Sequence, residues 1–199
     1  MLTEKFLGRH PSHFKINPIV KAFIIAETFL WSAQNFIIPI ISIFVIRDIQ
    51  HGNVQIAASA VSIYYVTRVF TELLTGRLFS KTNDKQKLMF TIFGMLLLSV
   101  SYIGFMLSYT IVPFIVFYGL TGVGLGIATP PKNALFSMHL DAGKETTEWS
   151  FYDALTFIGM AFATALGGFI AATYGFRVLF IISSVVNFLG IIPYLLYIF

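Results

Sequence analysis

The sequence contains no cysteine, which excludes disulfides, zinc-thiolate sites and cysteine nucleophiles. Charge is the second scarcity: Asp, Glu, Lys and Arg make up only 11% of the 199 residues, against about 25% in an average soluble domain. That deficit, with 57% apolar residues and 22 Phe, excludes a water-facing surface over most of the chain. Catalytic motifs are missing too. There is no HExxH pair, no GxSxG elbow and no phosphate loop ending in Lys-Ser or Lys-Thr. Gly122-Val123-Gly124-Leu125-Gly126 is glycine-rich, but it lies in an apolar run with no strand before it. No enzyme, no cofactor and no metal site is therefore expected. His10 and His13 share a polar tail with Lys5, Arg9 and Lys15, where such a pair is ordinarily solvated. The net charge of +4 is scattered rather than gathered on one polar element, so nucleic acid is not expected as a partner.

What the chain has instead is long apolar runs. A membrane-crossing helix takes about 20 mostly apolar residues, and six stretches meet that length. They are 22–46, 54–74, two within 88–131, 152–173 and 178–199. The 88–131 run carries no charge and is too long for one crossing, and Ser108-Tyr109-Thr110 before Pro113 is the natural turn. Asn17-Pro18 reads as a helix start, a cap followed by a first-turn proline. Residues 1–17, without the apolar core of a cleaved leader, are expected as a cytosolic tail, and 18–199 as an all-α transmembrane domain. A kink is expected at Pro130-Pro131, with residues 133–140 continuing the fourth helix. Lys144, Glu145 and Glu148 read as a solvated loop.

Charge orients these helices. With the N-terminus in the cytoplasm, ten of the 13 bases fall inside: Lys5, Arg9, Lys15, Lys21, Arg77, Lys81, Lys85, Lys87, Lys132 and Lys144. Only Arg47 and Arg177 fall outside, and Arg68 lies within the second apolar stretch. Excess Lys and Arg mark cytoplasmic loops. The junctions also repeat: Gly76, Leu78, Asn83, Lys85 and Leu88 align with Gly168, Ile170, Gly175, Arg177 and Phe180. Three helices separate the two copies, so the second is inverted. Inverted three-plus-three repeats are one construction plan of secondary transporters.

The segment Gly76-Arg77-Leu78-Phe79-Ser80-Lys81-Thr82-Asn83-Asp84-Lys85 resembles the inner-gate loop of the major facilitator superfamily, roughly G-x-L-x-D-R-x-G-R-R. Gly76, Leu78, Lys81 and Lys85 match it. Ser80 stands where the family has an acid that holds the inner gate. Asn83 replaces the second glycine, and Asn tolerates a left-handed turn. Gly159, Gly167-Gly168 and Gly175-Phe176-Arg177 are similar to the family's glycine-rich fifth helix and the turn after it. The resemblance implies a six-helix, N-terminal-type half of a transporter that moves a small solute by alternating access. Members of the family usually have twelve helices. A second half is therefore expected, either a second copy in a homodimer or another six-helix unit. The alternatives are a fragment of a longer transporter and a membrane scaffold or assembly subunit with no transport role.

Several residues stand out as candidate sites. Glu27, Trp31, Gln34 and Asn35 form a polar stripe on the first helix at ~100° per residue, with Ser42 beyond Pro39, as suits a hydrated cavity. A carboxylate within the membrane is costly unless hydrated, paired or protonated. Glu27 is thus either a proton carrier, as the resemblance to proton-coupled exporters implies, or a structural partner of a neighbour. Tyr64, Arg68 and Glu72 stand one helical turn apart and can pair; Arg68 can instead reach an anionic substrate or Glu27. Asp153 reads as an acid near a helix start, and Asn187 as an interhelical hydrogen-bond partner. Gly159, Ala163, Gly167 and Ala171 recur every four residues as a smooth ridge. That ridge is read either as internal packing or as a surface sliding against the second half. Gly122 and Gly126 read as packing.

Overall fold

Asn17 and Pro18 begin the first helix as their chemistry dictates. The Asn17 side chain accepts the Ile19 N–H at 2.9 Å, and proline fills a position whose own N–H would have no helical partner. A computed structural model describes residues 16–198; residues 1–15, including His10 and His13, and residue 199 lie outside it. The described residues form eight helices: α1 (Pro18–Asn35), α2 (Ile41–Asp48), α3 (Val54–Leu78), α4 (Asp84–Leu107), α5 (Ile111–Met138), α6 (Glu145–Tyr174), α7 (Phe176–Leu189) and α8 (Ile192–Ile198).

The apolar stretches are not all single helices. The first is divided between α1 and α2 by turns at residues 36–40, where Pro39 supplies no N–H. The last is divided at Gly190-Ile191 into α7 and α8. By length and composition, four helical segments are long and apolar enough to cross a membrane: Asp84–Leu107, Ile111–Met138, Glu145–Tyr174 and Phe176–Leu196. The α1 and α3 helices carry more polar residues. Glu27 and Gln34 on α1 are buried within the protein, so lipid does not meet them.

Several local expectations need correction. Glu145 and Glu148 are not in a loop but form the first turn of α6, where acids oppose the positive end of the helix dipole. Glu148 is 1% exposed, and its Oε2 accepts the Asp141 N–H at 2.9 Å. Because α6 begins at Glu145, Asp153 lies two turns inside the helix and faces outward. Asn83 makes no left-handed turn. Its φ of −74° and ψ of 166° are extended, and it caps α4 by accepting the Gln86 N–H at 2.9 Å while Gln86 accepts its own N–H at 3.3 Å. The fifth helix continues through Pro130 and Pro131 to Met138.

Packing follows the small residues. The α5 helix lies against both α3 and α4, α1 against α6 and α7, and α4 against α7. At Gly94 of α4, an added Cβ would meet the Ala128 backbone nitrogen at 2.8 Å, so these two helices touch backbone to backbone. Gly159 meets Thr28 and Ser32, and Gly167 meets the Phe36 backbone. The two glycines of the α6 ridge therefore pack against α1 and the turn that follows it inside this unit. Large apolar side chains such as Val66, Phe70 and Leu73 on α3, and Phe157, Phe162 and Phe169 on α6, face outward.

Two polar seams tie the helices together, one at an end of the bundle and one between α4 and α7. The turns around Gln50, Tyr109 and Arg177 meet at one end: the Gln50 N–H donates to the Tyr109 carbonyl at 2.9 Å. The Arg177 guanidinium lies 3.8 Å from the Tyr109 ring centre and donates to the Met106 carbonyl. Between α4 and α7, Asn187 donates to the Met95 carbonyl at 2.7 Å and to Ser99 Oγ at 2.8 Å. Asn187→Ala is expected to lower stability by about 1 kcal/mol, the scale of interhelical hydrogen bonds in lipid. Thermal unfolding in mixed micelles checks this, and no change would assign the seam to shape alone.

Candidate functional site: an aromatic cavity and a buried ion pair

One turn of α3 spacing brings Tyr64, Arg68 and Glu72 onto a single stripe. The Arg68 Nη1 donates to the Tyr64 hydroxyl at 2.9 Å, and its Nε donates to Glu72 Oε2 at 3.3 Å. From α1, Gln34 Nε2 donates to the same Tyr64 hydroxyl at 3.4 Å. Gln34, Tyr64 and Arg68 border a cavity of about 270 Å³ with Trp31, Ser42, Tyr65, Tyr102, Phe105, Tyr118 and Thr121 also in its wall. Two polar atoms here, Gln34 Oε1 and the Tyr102 hydroxyl, are buried without a partner among the described residues. Groups left this way in a native wall call for a water or ligand.

Glu27 does not line this cavity. It is 1% exposed and sits at a crossing of four helices. Its Oε2 accepts from Lys132 Nζ on α5 at 2.5 Å, from the Tyr152 hydroxyl on α6 at 2.8 Å and from Trp31 Nε1 at 3.2 Å. Its Oε1 accepts from the Tyr194 hydroxyl on α8 at 3.1 Å. Lys132 is 3% exposed, so it belongs to the interior rather than to a basic inner loop. A buried charge needs a counter-charge and filled hydrogen-bond positions, and both are supplied here. Trp31 is common to the two sites, with its ring in the cavity wall and its N–H on Glu27.

The family model of the Major Facilitator Superfamily matches residues 23–199. The chain belongs to the major facilitator superfamily. An 80-residue stretch is 32% identical to the bacillibactin exporter of Bacillus subtilis (strain 168), covering 40% of this chain and 20% of the exporter. The fold is similar to that of the POT family transporter PepTSo, with a TM-score of 0.78 at 17% identity. That match covers 92% of this chain and 37% of PepTSo. The chain thus spans well under half the length of that transporter. Membership of a transporter superfamily, together with the apolar helices, makes this a multi-pass membrane protein.

Within this major facilitator fold, the remaining expected site residues divide clearly. Asn35 is turned to its own helix, donating to the Trp31 carbonyl at 2.9 Å, and does not line the cavity. Gly76, Leu78, Ser80, Lys81 and Lys85 lie exposed at the α3–α4 junction, with Ser80 Oγ donating to the Arg77 carbonyl at 3.2 Å. Gly76 and Ser80 border a second cavity of about 350 Å³, shared with Lys87 and Pro131. Lys132, Tyr152, Tyr194 and Tyr102 were not singled out by the sequence. A signal for Lys132 existed: it follows a long uncharged run, as Glu27 is the lone acid of the first stretch, and two solitary interior charges of opposite sign invite pairing.

Proposed function

We propose that this chain forms one half of a secondary transporter, moving a small solute across the cell membrane by alternating access with the cavity beside Arg68 as the solute site. The observation that carries this is the cavity wall itself, in which buried Gln34 Oε1 and the Tyr102 hydroxyl are unpartnered beside Arg68. A scaffold has no need of an unfilled polar wall. In this reading α1–α2, α3, α4, α5, α6 and α7–α8 make six crossings from residue 18 to 199, arranged as an inverted three-plus-three repeat. The N-terminus is cytoplasmic, as the distribution of Lys and Arg supports. A second half, whether a second copy or another six-helix unit, completes the path.

Because the sequence has no cysteine, a single introduced thiol reports alone. Gln34→Cys in proteoliposomes is expected to react with a membrane-impermeant maleimide added from either side. Labelling from neither side would support a filled scaffold and overturn the reading.

Coupling to protons is assigned to Glu27. Protonating it removes the charge that holds Lys132, loosening the contact between α1 and α5. An imposed pH gradient is expected to change the side from which Gln34→Cys reacts. In a Glu27→Gln, Lys132→Met background, which loses both charges together, the labelling remains but its pH response disappears. A response that persists in this background assigns the coupling elsewhere.

A further inference from the structure

The hydrogen-bond inventory of the cavity says what kind of molecule would fill it. The Tyr64 hydroxyl already accepts from Arg68 and Gln34, so its own hydrogen is free to donate. Tyr102 offers an unpartnered hydroxyl, and Arg68 makes no bond from Nη2 among the described residues. Three donors thus belong to this wall, one of them cationic; Gln34 Oε1 is an unpartnered acceptor, and the hydroxyls of Ser42, Tyr65, Tyr118 and Thr121 can serve in either sense. Glu72 holds only the Nε edge of Arg68 and is absent from the cavity wall. The wall thus carries one cation and no carboxylate. The remainder is aromatic, with Trp31 and Tyr118 among its rings, and such faces stack on planar molecules. A volume of about 270 Å³ is at the small end for ligand sites.

We propose that the cavity takes a small aromatic acid: one ring, a carboxylate for Arg68, Tyr64 and Tyr102, and a hydroxyl or amino donor for Gln34 Oε1. This rests on the cavity being the solute site. A carboxylate matches the planar fork of a guanidinium and forms charge-assisted bonds to it. A cationic ligand of the same shape meets Arg68 with like charge and finds no carboxylate in the wall to offset it.

The test is calorimetric titration of the full-length protein in nanodiscs with three probes on one ring: 4-hydroxybenzoate, 4-hydroxybenzamide and 4-hydroxybenzamidine. The benzoate is expected to bind at least about tenfold more tightly than the amide, since hydrogen bonds to a charged group are the stronger kind. The amidine is expected to bind least. Arg68→Gln is expected to bring benzoate and amide together. Tyr102→Phe removes a hydroxyl with no hydrogen-bond partner among the described residues, so it tests the site with little demand on the fold. It is expected to weaken the benzoate several-fold and leave the amidine unchanged. If the amide or amidine binds as tightly as the benzoate, or Tyr102→Phe leaves all three unchanged, the aromatic-acid assignment is overturned. If none binds while Gln34→Cys still labels from both sides, the acid assignment falls and the cavity stands. If none binds and no labelling occurs, both fall.

Discussion

Lys132→Ala is expected to lower the stability of the bundle by about 3–5 kcal/mol, the range for stripping one partner from a buried ion pair. Glu27, 1% exposed in the fold, would keep three neutral donors, Tyr152, Tyr194 and Trp31, and lose its counter-charge. Those hydroxyls and the indole solvate a carboxylate only in part. The effect spreads because the pair joins α1 to α5 and, through the two tyrosines, to α6 and α8. Replacing both members, Glu27→Gln with Lys132→Met, is expected to recover most of the loss, since a buried pair exchanged for neutral side chains is often nearly neutral in stability. Thermal unfolding followed by tryptophan fluorescence measures both. A double variant as unstable as the single one would mean that packing, not charge, governs the crossing.

A second large effect is expected at Gly122. A Cβ there would collide with Thr67 Oγ1 and the Tyr64 carbonyl, and would stand 3.1 Å from the Arg68 backbone nitrogen. At Gly126, one turn on, an added Cβ would stand 2.9 Å from the Arg68 carbonyl oxygen and 3.0 Å from the Glu72 nitrogen. Two glycines thus let α5 lie against the backbone that carries the cavity's cation, and Thr67 closes the seam by donating to the Gly119 carbonyl at 3.0 Å. Gly122→Ala is expected to cost about 1–3 kcal/mol, as overpacking does, and to weaken 4-hydroxybenzoate binding by displacing Arg68. Gly168 on α6 is the control, because nothing lies within 4 Å of a Cβ built on it. Gly168→Ala is expected to be neutral or slightly stabilising, since glycine in a helix is worse than alanine by about 0.5–1 kcal/mol. A similar gain at both positions would show that helix propensity, not the crossing with α3, decides them.

Local chemistry carried much of this into the sequence. The turn at Ser108-Tyr109-Thr110, the Asn17-Pro18 start and the Tyr64–Arg68–Glu72 stripe all follow from spacings of one to four residues, and the structure contains each. Contacts between helices were less legible. Glu27 and Lys132 are 105 residues apart, and helical periodicity says which face a residue shares but not which helix covers it. For the same reason the small-residue ridge of α6 was readable as a packing surface, while its partner, α1, was not. Asn35 fell within the polar stripe by angle, but its amide found a backbone carbonyl one turn back, a competition open to any Asn in a helix. At Asn83 the capping geometry followed from Gln86 three residues on. The family pattern pointed instead to a glycine-like turn.

Trp31 has a consequence of its own, since one indole serves both the cavity wall and the Glu27 carboxylate. Thermodynamic reciprocity applies to any such shared group. If an occupant of the cavity changes the affinity of Glu27 for a proton by some factor, then a proton on Glu27 must change the occupant's affinity by the same factor. The two sites are therefore halves of one thermodynamic cycle, and replacing Trp31 with Phe, which keeps a ring and removes the N–H, is the change that opens it.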